Sequence, residues 1–369
     1  MRKVFNMSSL AIPIFLLFLL NFFSQMEVAF SATIPPSVSS SQLEFWSENV
    51  VNSMPEAFAS KLSPLSDQDS TLNSFFASSA STAESFNTKG FCSTANLACT
   101  PLPASILGVV KETVILSGYG VSPYKSRINS HDDDGSVDPN FFFRLSPVLQ
   151  KGKRILLPSF DKISLPPRSF LPSQIATRIS TTNSADLHKY FPNLFASRPM
   201  KETIERSTRY CNMPASPDLK GQGKIINCFS SIDGIIDFSK KASGAKKLLA
   251  LSTKSTRGSG KELEIGNIKQ FHAQKIVSCH EVFFPFATYF CHLLSSSKAR
   301  LYAVDFVDPR TKAHVNRILA VCHMDTSKWP AEHMVFKTLK ISPGKGEACH
   351  WYRKDDPLFI GSNGGKKKL

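Results

Sequence analysis

Apolar and polar residues alternate through much of the C-terminal half of the chain, in short segments separated by Pro and Gly. Alternation with a period of two, rich in Val, Ile, Phe and Tyr, is typical of half-buried β-strands. The pattern predicts strands at Leu248 to Thr253, Glu262 to Phe271, Lys275 to Phe284, Arg300 to Val307, Val315 to His323, Met334 to Ile341 and Glu347 to Trp351. Successive strands without intervening helices favour antiparallel pairing. The sequence therefore predicts an α+β fold, predominantly antiparallel β, with a sandwich or barrel-like core and a few helices.

One helix is predicted just before these strands. Ser197 followed by Pro199 is typical of a helix start, and Met200, Ile204 and Cys211 can share one face of a helix that ends near Cys211.

The first residues have the pattern of a signal peptide. Arg2 and Lys3 precede an apolar stretch from Leu10 to Phe23, which is too short and too interrupted to span a bilayer. A small-x-small pattern predicts cleavage before Ala32, so residues 1–31 are assigned to the signal. The mature protein is expected to be secreted, in the cell wall or apoplast, with no membrane partner.

The rest of the chain divides by composition. Residues 32–140 are rich in Ser and are predicted to be a variable, loosely structured region, with an island of near-helical apolar spacing at Leu43 to Phe58. Patterned sequence begins at Phe141, so the folded domain is predicted over 141–357. Residues 358–369 contain a run of three lysines, Lys366 to Lys368, and are predicted to be a basic tail.

The chain carries 44 Lys and Arg against 29 Asp and Glu, a formal charge of +15. For an exported protein the expected polyanionic partner is an acidic cell-wall polysaccharide such as pectin, and not a nucleic acid. Alternatively, the positive surface serves only solubility.

Eight cysteines in an exported chain favour disulfides over free thiols. They are Cys92, Cys99, Cys211, Cys228, Cys279, Cys291, Cys322 and Cys349. Connectivity is open from sequence, although Cys92 with Cys99 and Cys211 with Cys228 are the easiest loops to close.

Four of these cysteines are each followed directly by a histidine: Cys279-His280, Cys291-His292, Cys322-His323 and Cys349-His350. On a strand, adjacent side chains point to opposite faces, so the cysteines could pair on one side while the imidazoles gather around a metal on the other. Sites rich in His and free of thiolate suit copper, nickel or zinc. The alternative is that the imidazoles only form hydrogen bonds in the core.

The four dipeptides, with Phe142-Phe143 and Arg168-Ser169-Phe170-Leu171-Pro172, resemble the plant BURP-domain family. Phe45-Trp46 and the Cys92 to Cys99 stretch resemble the branch named for the non-catalytic beta subunit of polygalacturonase. This resemblance implies a non-catalytic wall protein that binds or modulates pectin-associated enzymes, with a catalytic polygalacturonase as a partner.

The same resemblance implies an alternative activity. Some BURP proteins are copper-dependent peptide cyclases that join a Tyr or Trp side chain to the backbone of a core peptide, which implies copper at His280, His292, His323 and His350. The candidate core peptide is Gly118 to Lys125, although an irregular turn is the other interpretation of that segment. No paired carboxylates or nucleophile elbow are found, which disfavours a pectin-cleaving hydrolase.

Three further residues near the dipeptides have two interpretations each. Trp329 and Trp351 are core aromatics or redox partners. Asp325 orients an imidazole or caps a turn at Thr326-Ser327. The other histidines are expected at surface or ordinary core positions: His131, His188, His272, His314 and His333.

Overall fold

The computed structural model describes residues 40–65, 91–103, 106–107, 140–160, 165–212, 226–295, 297–329, 331 and 333–362. The predicted signal peptide (1–31) and the candidate core peptide (Gly118 to Lys125) lie outside these ranges, as do residues 363–369 of the predicted tail. Within the described ranges, no helix combines the length and the apolar character needed to cross a bilayer.

Short helices surround a β-rich centre. The described helices are α1 (Ser40–Asn49), α2 (Glu56–Ala59), α3 (Phe91–Thr94), α4 (Leu145–Val148), α5 (Ser173–Ala176), α6 (Ser184–Tyr190), α7 (Pro192–Ala196), α8 (Arg198–Cys211), α9 (Ile232–Ser243) and α10 (Met334–Leu339). The described strands are β1 (Phe142–Phe143), β2 (Arg154–Leu156), β3 (Ile226–Phe229), β4 (Leu248–Leu251), β5 (Glu262–Phe271), β6 (Lys275–Phe283), β7 (Ala287–Ser295), β8 (Ala299–Val307), β9 (His314–His323), β10 (Ala348–Trp351) and β11 (Leu358–Gly361).

The strands form two antiparallel sheets. Sheet A has five strands in the order β3-β7-β6-β11-β4, and sheet B has six in the order β1-β10-β9-β8-β5-β2. Ile276 and Leu358 of sheet A share a buried core with Val321 of sheet B, so the two sheets pack face to face. The predicted β-rich α+β fold with a sandwich core is therefore confirmed.

Each sheet also packs on its outer face. Ile235 of α9 and Ile204 of α8 share a core with Val277 of β6, so these helices cover sheet A. Phe336 of α10 lies in a third core with Ile318 of β9, on the outer side of sheet B. Because β6 and β7 are covered on both faces, nearly every residue in them is buried.

Part of the region predicted to be loose is packed on sheet A. Trp46 on α1 and Phe58 on α2 are 3% and 1% exposed. The Phe58 ring lies 5.0 Å from that of Tyr289 and 6.1 Å from that of Phe359, measured between centroids. The helical spacing predicted at Leu43 to Phe58 is thus a real contact surface, and residues 40–65 are part of the folded unit.

The predicted helix ending near Cys211 is confirmed as α8. It begins after Ser197, has a proline in its first turn, and buries Met200, Ile204 and Cys211. An amphipathic stripe with a proline near its start was sufficient to locate it.

Two predictions near the C-terminus are wrong. Met334 to Ile341, predicted as a strand, is the helix α10, because the His333 ring accepts a hydrogen bond from the Val335 amide and caps its first turn. The predicted domain end at residue 357 is one strand too early: β11 (Leu358–Gly361) lies between β6 and β4 in sheet A. Leu358 and Phe359 are fully buried, so this segment is core and not tail.

Candidate metal centre

Two disulfides clamp neighbouring strands within the sheets. Cys279 on β6 faces Cys291 on β7, and their Cα atoms are 4.1 Å apart. Cys322 on β9 faces Cys349 on β10 at 3.9 Å. Each sheet therefore holds one disulfide made from two of the four Cys-His dipeptides.

The remaining cysteines pair within short loops. Cys92 bonds to Cys99, and Cys211 at the end of α8 bonds to Cys228 on β3. The predicted disulfides are confirmed for all eight cysteines, and the two pairs expected from loop length form.

Cysteines and histidines of the dipeptides point to opposite sides of their sheets. Cys279 and Cys291 lie in the core between sheet A and the helices, whereas Cys322 and Cys349 lie in the outer core of sheet B. Because strand side chains alternate, each following histidine points into the space between the sheets. Both sheets therefore have the predicted separation, with the cysteines on one face and the histidines on the other.

The four imidazoles form one row between the sheets, here called the imidazole row: His292, His280, His350 and His323. Ring centroids are 5.5 Å apart for His292 and His280, 6.1 Å for His280 and His350, and 5.6 Å for His350 and His323. Two rings come from each sheet. Residues separated by up to 70 positions in sequence are thus brought together by the packing of sheet A on sheet B.

Burial keeps most of these rings uncharged. Desolvation, followed by the neighbouring imidazoles, holds the pKa of His292 and of His323 well below the usual value. His350 keeps some exposure, and its pKa is also lowered by burial and by His280. A neutral imidazole has one nitrogen lone pair, which is the form that binds a metal.

Hydrogen bonds orient two of the rings. Nδ1 of His280 lies 3.3 Å from a carboxylate oxygen of Asp356, and Nδ1 of His350 lies 3.3 Å from the carbonyl oxygen of Trp351. Because these oxygens only accept, both rings carry a proton on Nδ1, and Nε2 is the nitrogen that can present a lone pair to a metal. Metal-binding histidines usually have such a carboxylate or carbonyl behind them.

The chemistry of the donor set suits a divalent transition metal. Four imidazoles without thiolate, because the cysteines are all oxidised, match the ligand preferences of copper, nickel or zinc. Among the described residues, however, no three His, Cys, Asp or Glu side chains converge as a ready metal site. The rings of the imidazole row lie side by side, with neighbouring centroids 5.5 to 6.1 Å apart.

Polar groups that the sequence interpretation missed lie around the row. The Ser278 hydroxyl is 2.9 Å from Nε2 of His280 and 2.6 Å from the Tyr352 hydroxyl. Ser278 precedes His280 by two residues and Tyr352 follows His350 by two, so the strand period could have identified both. Arg353 and Asp356, which lie beyond the last strand residue of β10, had no such signal.

A fifth histidine lies at the end of the row. His333 is 3% exposed, and its ring lies tilted against that of Trp329 at 4.6 Å, while the Trp329 ring is 4.9 Å from that of His323. Burial lowers the pKa of His333 to about 4. Its Nδ1 is occupied by the amide of Val335, so the ring is a capping and core group beside the row.

Two of the three residues with two interpretations, Trp351 and Asp325, are assigned by their contacts. Trp351 is 1% exposed and stacks on Phe143 at 4.3 Å, which makes it a core aromatic. Asp325 accepts hydrogen bonds from the amide and hydroxyl of Ser327, so it caps a turn and does not orient an imidazole.

A buried ion network lies on the other face of sheet A. Glu281, the residue after His280, pairs with Arg168 at 2.8 Å and with Lys61 at 3.4 Å. Lys61 also pairs with Asp355 at 3.3 Å. These buried carboxylates are each matched to a cation, which ties residues 40–65 to the strands that carry the histidines.

Comparison with known proteins agrees with this architecture. The family model described as the BURP domain matches residues 141–361. The chain is 33% identical over 259 residues to polygalacturonase non-catalytic subunit AroGP3 of Solanum lycopersicum, covering 67% of this chain and 39% of the relative. It is 34% identical over 225 residues to polygalacturonase 1 beta-like protein 1 of Arabidopsis thaliana, covering 60% of this chain and 34% of the relative.

A third relative matches along most of both chains. BURP domain-containing protein 16 of Oryza sativa subsp. japonica is 30% identical over 329 residues, which are 87% of this chain and 89% of the relative. The chain spans well under half the length of the two polygalacturonase-named relatives.

Proposed function

The chain belongs to the BURP-domain family, and from that premise we propose that it is a secreted, non-catalytic wall protein that binds acidic pectin and modulates a partner polygalacturonase. The observation that carries this proposal is the similarity to relatives named as non-catalytic polygalacturonase subunits, at 33% and 34% identity. The predicted signal peptide and the four disulfides support export to an oxidising compartment.

The distribution of charge supports binding to a polyanion. Residues 141–361 contain 34 Lys and Arg against 17 Asp and Glu, so the positive charge is concentrated in the folded domain. Exposed examples are Lys151 and Lys153 beside the edge strand β2, and Lys246 and Lys247 before β4. Attraction between such a surface and galacturonate carboxylates is long-ranged and is screened by salt.

The buried acidic groups support a non-catalytic role. Hydrolysis of a glycosidic bond requires two carboxyl groups that are free to exchange protons or to attack the sugar. Glu281 and Asp355 are instead paired with Arg168 and Lys61 inside the protein. These carboxylates stabilise the fold and are enclosed away from a polysaccharide.

Retention on immobilised pectate tests the binding step. We expect retention on de-esterified pectate that falls as salt is raised, and little retention on fully methyl-esterified pectin, whose carboxyl groups are uncharged. A Lys151→Glu, Lys153→Glu variant should elute at lower salt than the wild type. Retention that is insensitive to both salt and esterification contradicts the electrostatic proposal.

Association with the enzyme needs its own measurement. A polygalacturonase mixed with the mature protein should co-elute with it in gel filtration and show a changed rate on pectate. Unchanged elution and an unchanged rate, under conditions where the protein still binds pectate, contradict the modulating role.

The imidazole row favours a second candidate, a copper-dependent peptide cyclase. His280, His292, His323 and His350 would hold the ion, which when bound would supply one-electron oxidation chemistry. The protein's own contribution is to hold four imidazoles in a water-poor space between two covalently clamped strand pairs. The peptide to be joined would be Gly118 to Lys125, with Tyr119 and Tyr124 as the side chains.

A peptide map separates the two candidates. Formation of one bond between a ring and the backbone removes two hydrogens from the peptide, and dioxygen accepts the two electrons. Mature protein incubated with Cu(II) and dioxygen should lose the mass of two hydrogens within the fragment that contains Gly118 to Lys125. A map unchanged from that of a chelator-treated sample contradicts the cyclase candidate and leaves the pectin proposal standing.

A further inference from the structure

Asp356 contacts both His280 of the imidazole row and the buried guanidinium of Arg353. One of its carboxylate oxygens is 3.3 Å from Nδ1 of His280, and the other accepts the backbone N–H of Glu281 at 3.0 Å. Arg353 donates to both oxygens, from Nε at 2.9 Å and from Nη2 at 2.6 Å. Asp356 and Arg353 are 3% and 4% exposed, so this pair is enclosed by protein.

The charge of the carboxylate is maintained by its partner. Arg353 donates to both oxygens of Asp356 and the Glu281 amide donates to one of them as well, so both oxygens act as acceptors. An ionised carboxylate is an acceptor for four hydrogen bonds here, two of them from one guanidinium.

Hydrogen-bond directions then follow along the chain of polar groups. A carboxylate cannot donate, so the proton between His280 and Asp356 belongs to Nδ1 of the ring. In the neutral ring Nε2 has a lone pair, which accepts from the Ser278 hydroxyl. The Ser278 oxygen in turn accepts from the Tyr352 hydroxyl at 2.6 Å. Every hydrogen in this sequence points away from Tyr352 and toward Asp356.

We propose that Asp356 is a positioning residue: held by Arg353, it fixes the His280 proton on Nδ1 and directs Nε2 of that ring into the space between the sheets. The proposal deepens the copper candidate. Its copper-affinity test rests on that candidate, whereas its NMR test does not. Asp356 acts through His280, whose Nε2 lies 2.9 Å from the Ser278 hydroxyl.

Asparagine at position 356 tests this assignment, because an amide has one acceptor oxygen where the carboxylate has two. It cannot satisfy His280, Arg353 and the Glu281 amide together, and it adds two donors. Asp355→Asn is the matched control: Asp355 lies in the same turn and is also buried, but it pairs with Lys61 and not with His280. Ser278→Ala provides a second variant that leaves the Arg353 ion pair intact.

Nitrogen NMR of histidine-labelled, metal-free protein gives the primary readout. The His280 ring, assigned by its loss in His280→Gln, should be in the Nδ1–H form in the wild type, in Asp355→Asn and in Ser278→Ala. In Asp356→Asn the Nε2–H form should become detectable. A wild-type His280 ring protonated on Nε2 overturns the proposal. So does a change of tautomer in Ser278→Ala, or a change in Asp355→Asn as large as that in Asp356→Asn.

Copper affinity gives the second readout. Cu(II) binding should weaken by about 10- to 100-fold in Asp356→Asn, the usual cost of losing a group that orients a metal-binding histidine. It should weaken much less in Asp355→Asn, and equal losses in the two variants contradict the positioning role. A wild type that binds no copper defeats the copper candidate, while the NMR result still decides what Asp356 does.

Discussion

His280 and His292 stack at 5.5 Å between ring centroids, and each directly follows a cysteine of the same cross-strand disulfide. The disulfide lies on one face of the two strands and the ring pair lies on the other. Sheet B repeats the arrangement with His323 and His350. The dipeptide is thus a unit in which a covalent clamp sets the spacing of two imidazoles.

Removal of one clamp should cost stability and loosen its ring pair. Replacing Cys322 and Cys349 by Ala should lower the free energy of unfolding by about 2–5 kcal/mol, the usual cost of losing a native disulfide. Replacing Cys92 and Cys99, which close a much shorter loop, should cost about 1 kcal/mol less. Urea titration of both variants under non-reducing conditions measures this difference, and a larger loss for the Cys92 and Cys99 variant contradicts it.

The aromatic contact between residues 40–65 and sheet A should be a major source of stability. Phe58→Ala removes a ring that packs on Tyr289 and Phe359, with an expected loss of about 3–5 kcal/mol. Val51→Ala is the control, because Val51 is 51% exposed and its loss should change stability by no more than about 0.5 kcal/mol. Similar denaturation midpoints for the two variants would show that residues 40–65 are not part of the folded unit.

The buried ion network should depend most on Glu281, which pairs with both Arg168 and Lys61. Glu281→Gln leaves Arg168 and Lys61 without a full counter-charge, so unfolding should become easier by about 3–5 kcal/mol. Glu202→Gln, in the exposed pair with Arg198 on α8, should cost no more than about 0.5 kcal/mol. Thermal unfolding of the two variants compares them directly. Matching losses would mean that the network contributes no more than a surface pair.

Metal-free protein should lose stability on acidification because buried histidines are held neutral. Burial lowers the pKa of His333 to about 4, against about 6.5 in an unfolded chain. The unfolded chain therefore binds the proton first, and stability is present above pH 6.5 and is lost as the pH falls toward 4. The loss from this ring alone between pH 7 and 4.5 is about 2 kcal/mol.

A His333→Asn variant tests that assignment, because Asn also caps a helix but does not titrate. Its stability, followed by urea titration with chelator present, should fall less steeply with pH than that of the wild type. An identical slope for the two proteins would show that His333 does not contribute to the acid sensitivity.

The sequence pattern predicts features that depend on local rules. The strands from Glu262 to Phe271 and from Val315 to His323 alternate and were located from sequence. The strand β7, Ala287–Ser295, was not, because it is covered on both faces and its apolar residues show no alternation. The helix α10 was predicted as a strand, since its six residues are too few to display a helical period.

The candidate site was predictable to the same extent. Repetition of Cys-His identified the four rings, and alternation along a strand placed cysteine and histidine on opposite faces. Arg353 and Asp356 reach His280 only because β11 enters sheet A after the last dipeptide, and that long-range pairing leaves no periodic signal. The order of the rings in the row likewise depends on how two sheets pack, which is not encoded within any one strand.

Metal analysis after exhaustive dialysis against Cu(II)-free buffer tests the central claim, that the two sheets bring four imidazoles into one metal site. The wild type loaded with Cu(II) is compared with a variant carrying Ala at His280, His292, His323 and His350, and with a control carrying Ala at the exposed His188, His272 and His314. Circular dichroism and thiol titration establish that each variant is folded with its disulfides formed. The account predicts that copper is retained by the wild type and the exposed-histidine control and lost from the four-histidine variant. Equal copper in the wild type and the folded four-histidine variant, or none in the wild type, would contradict it.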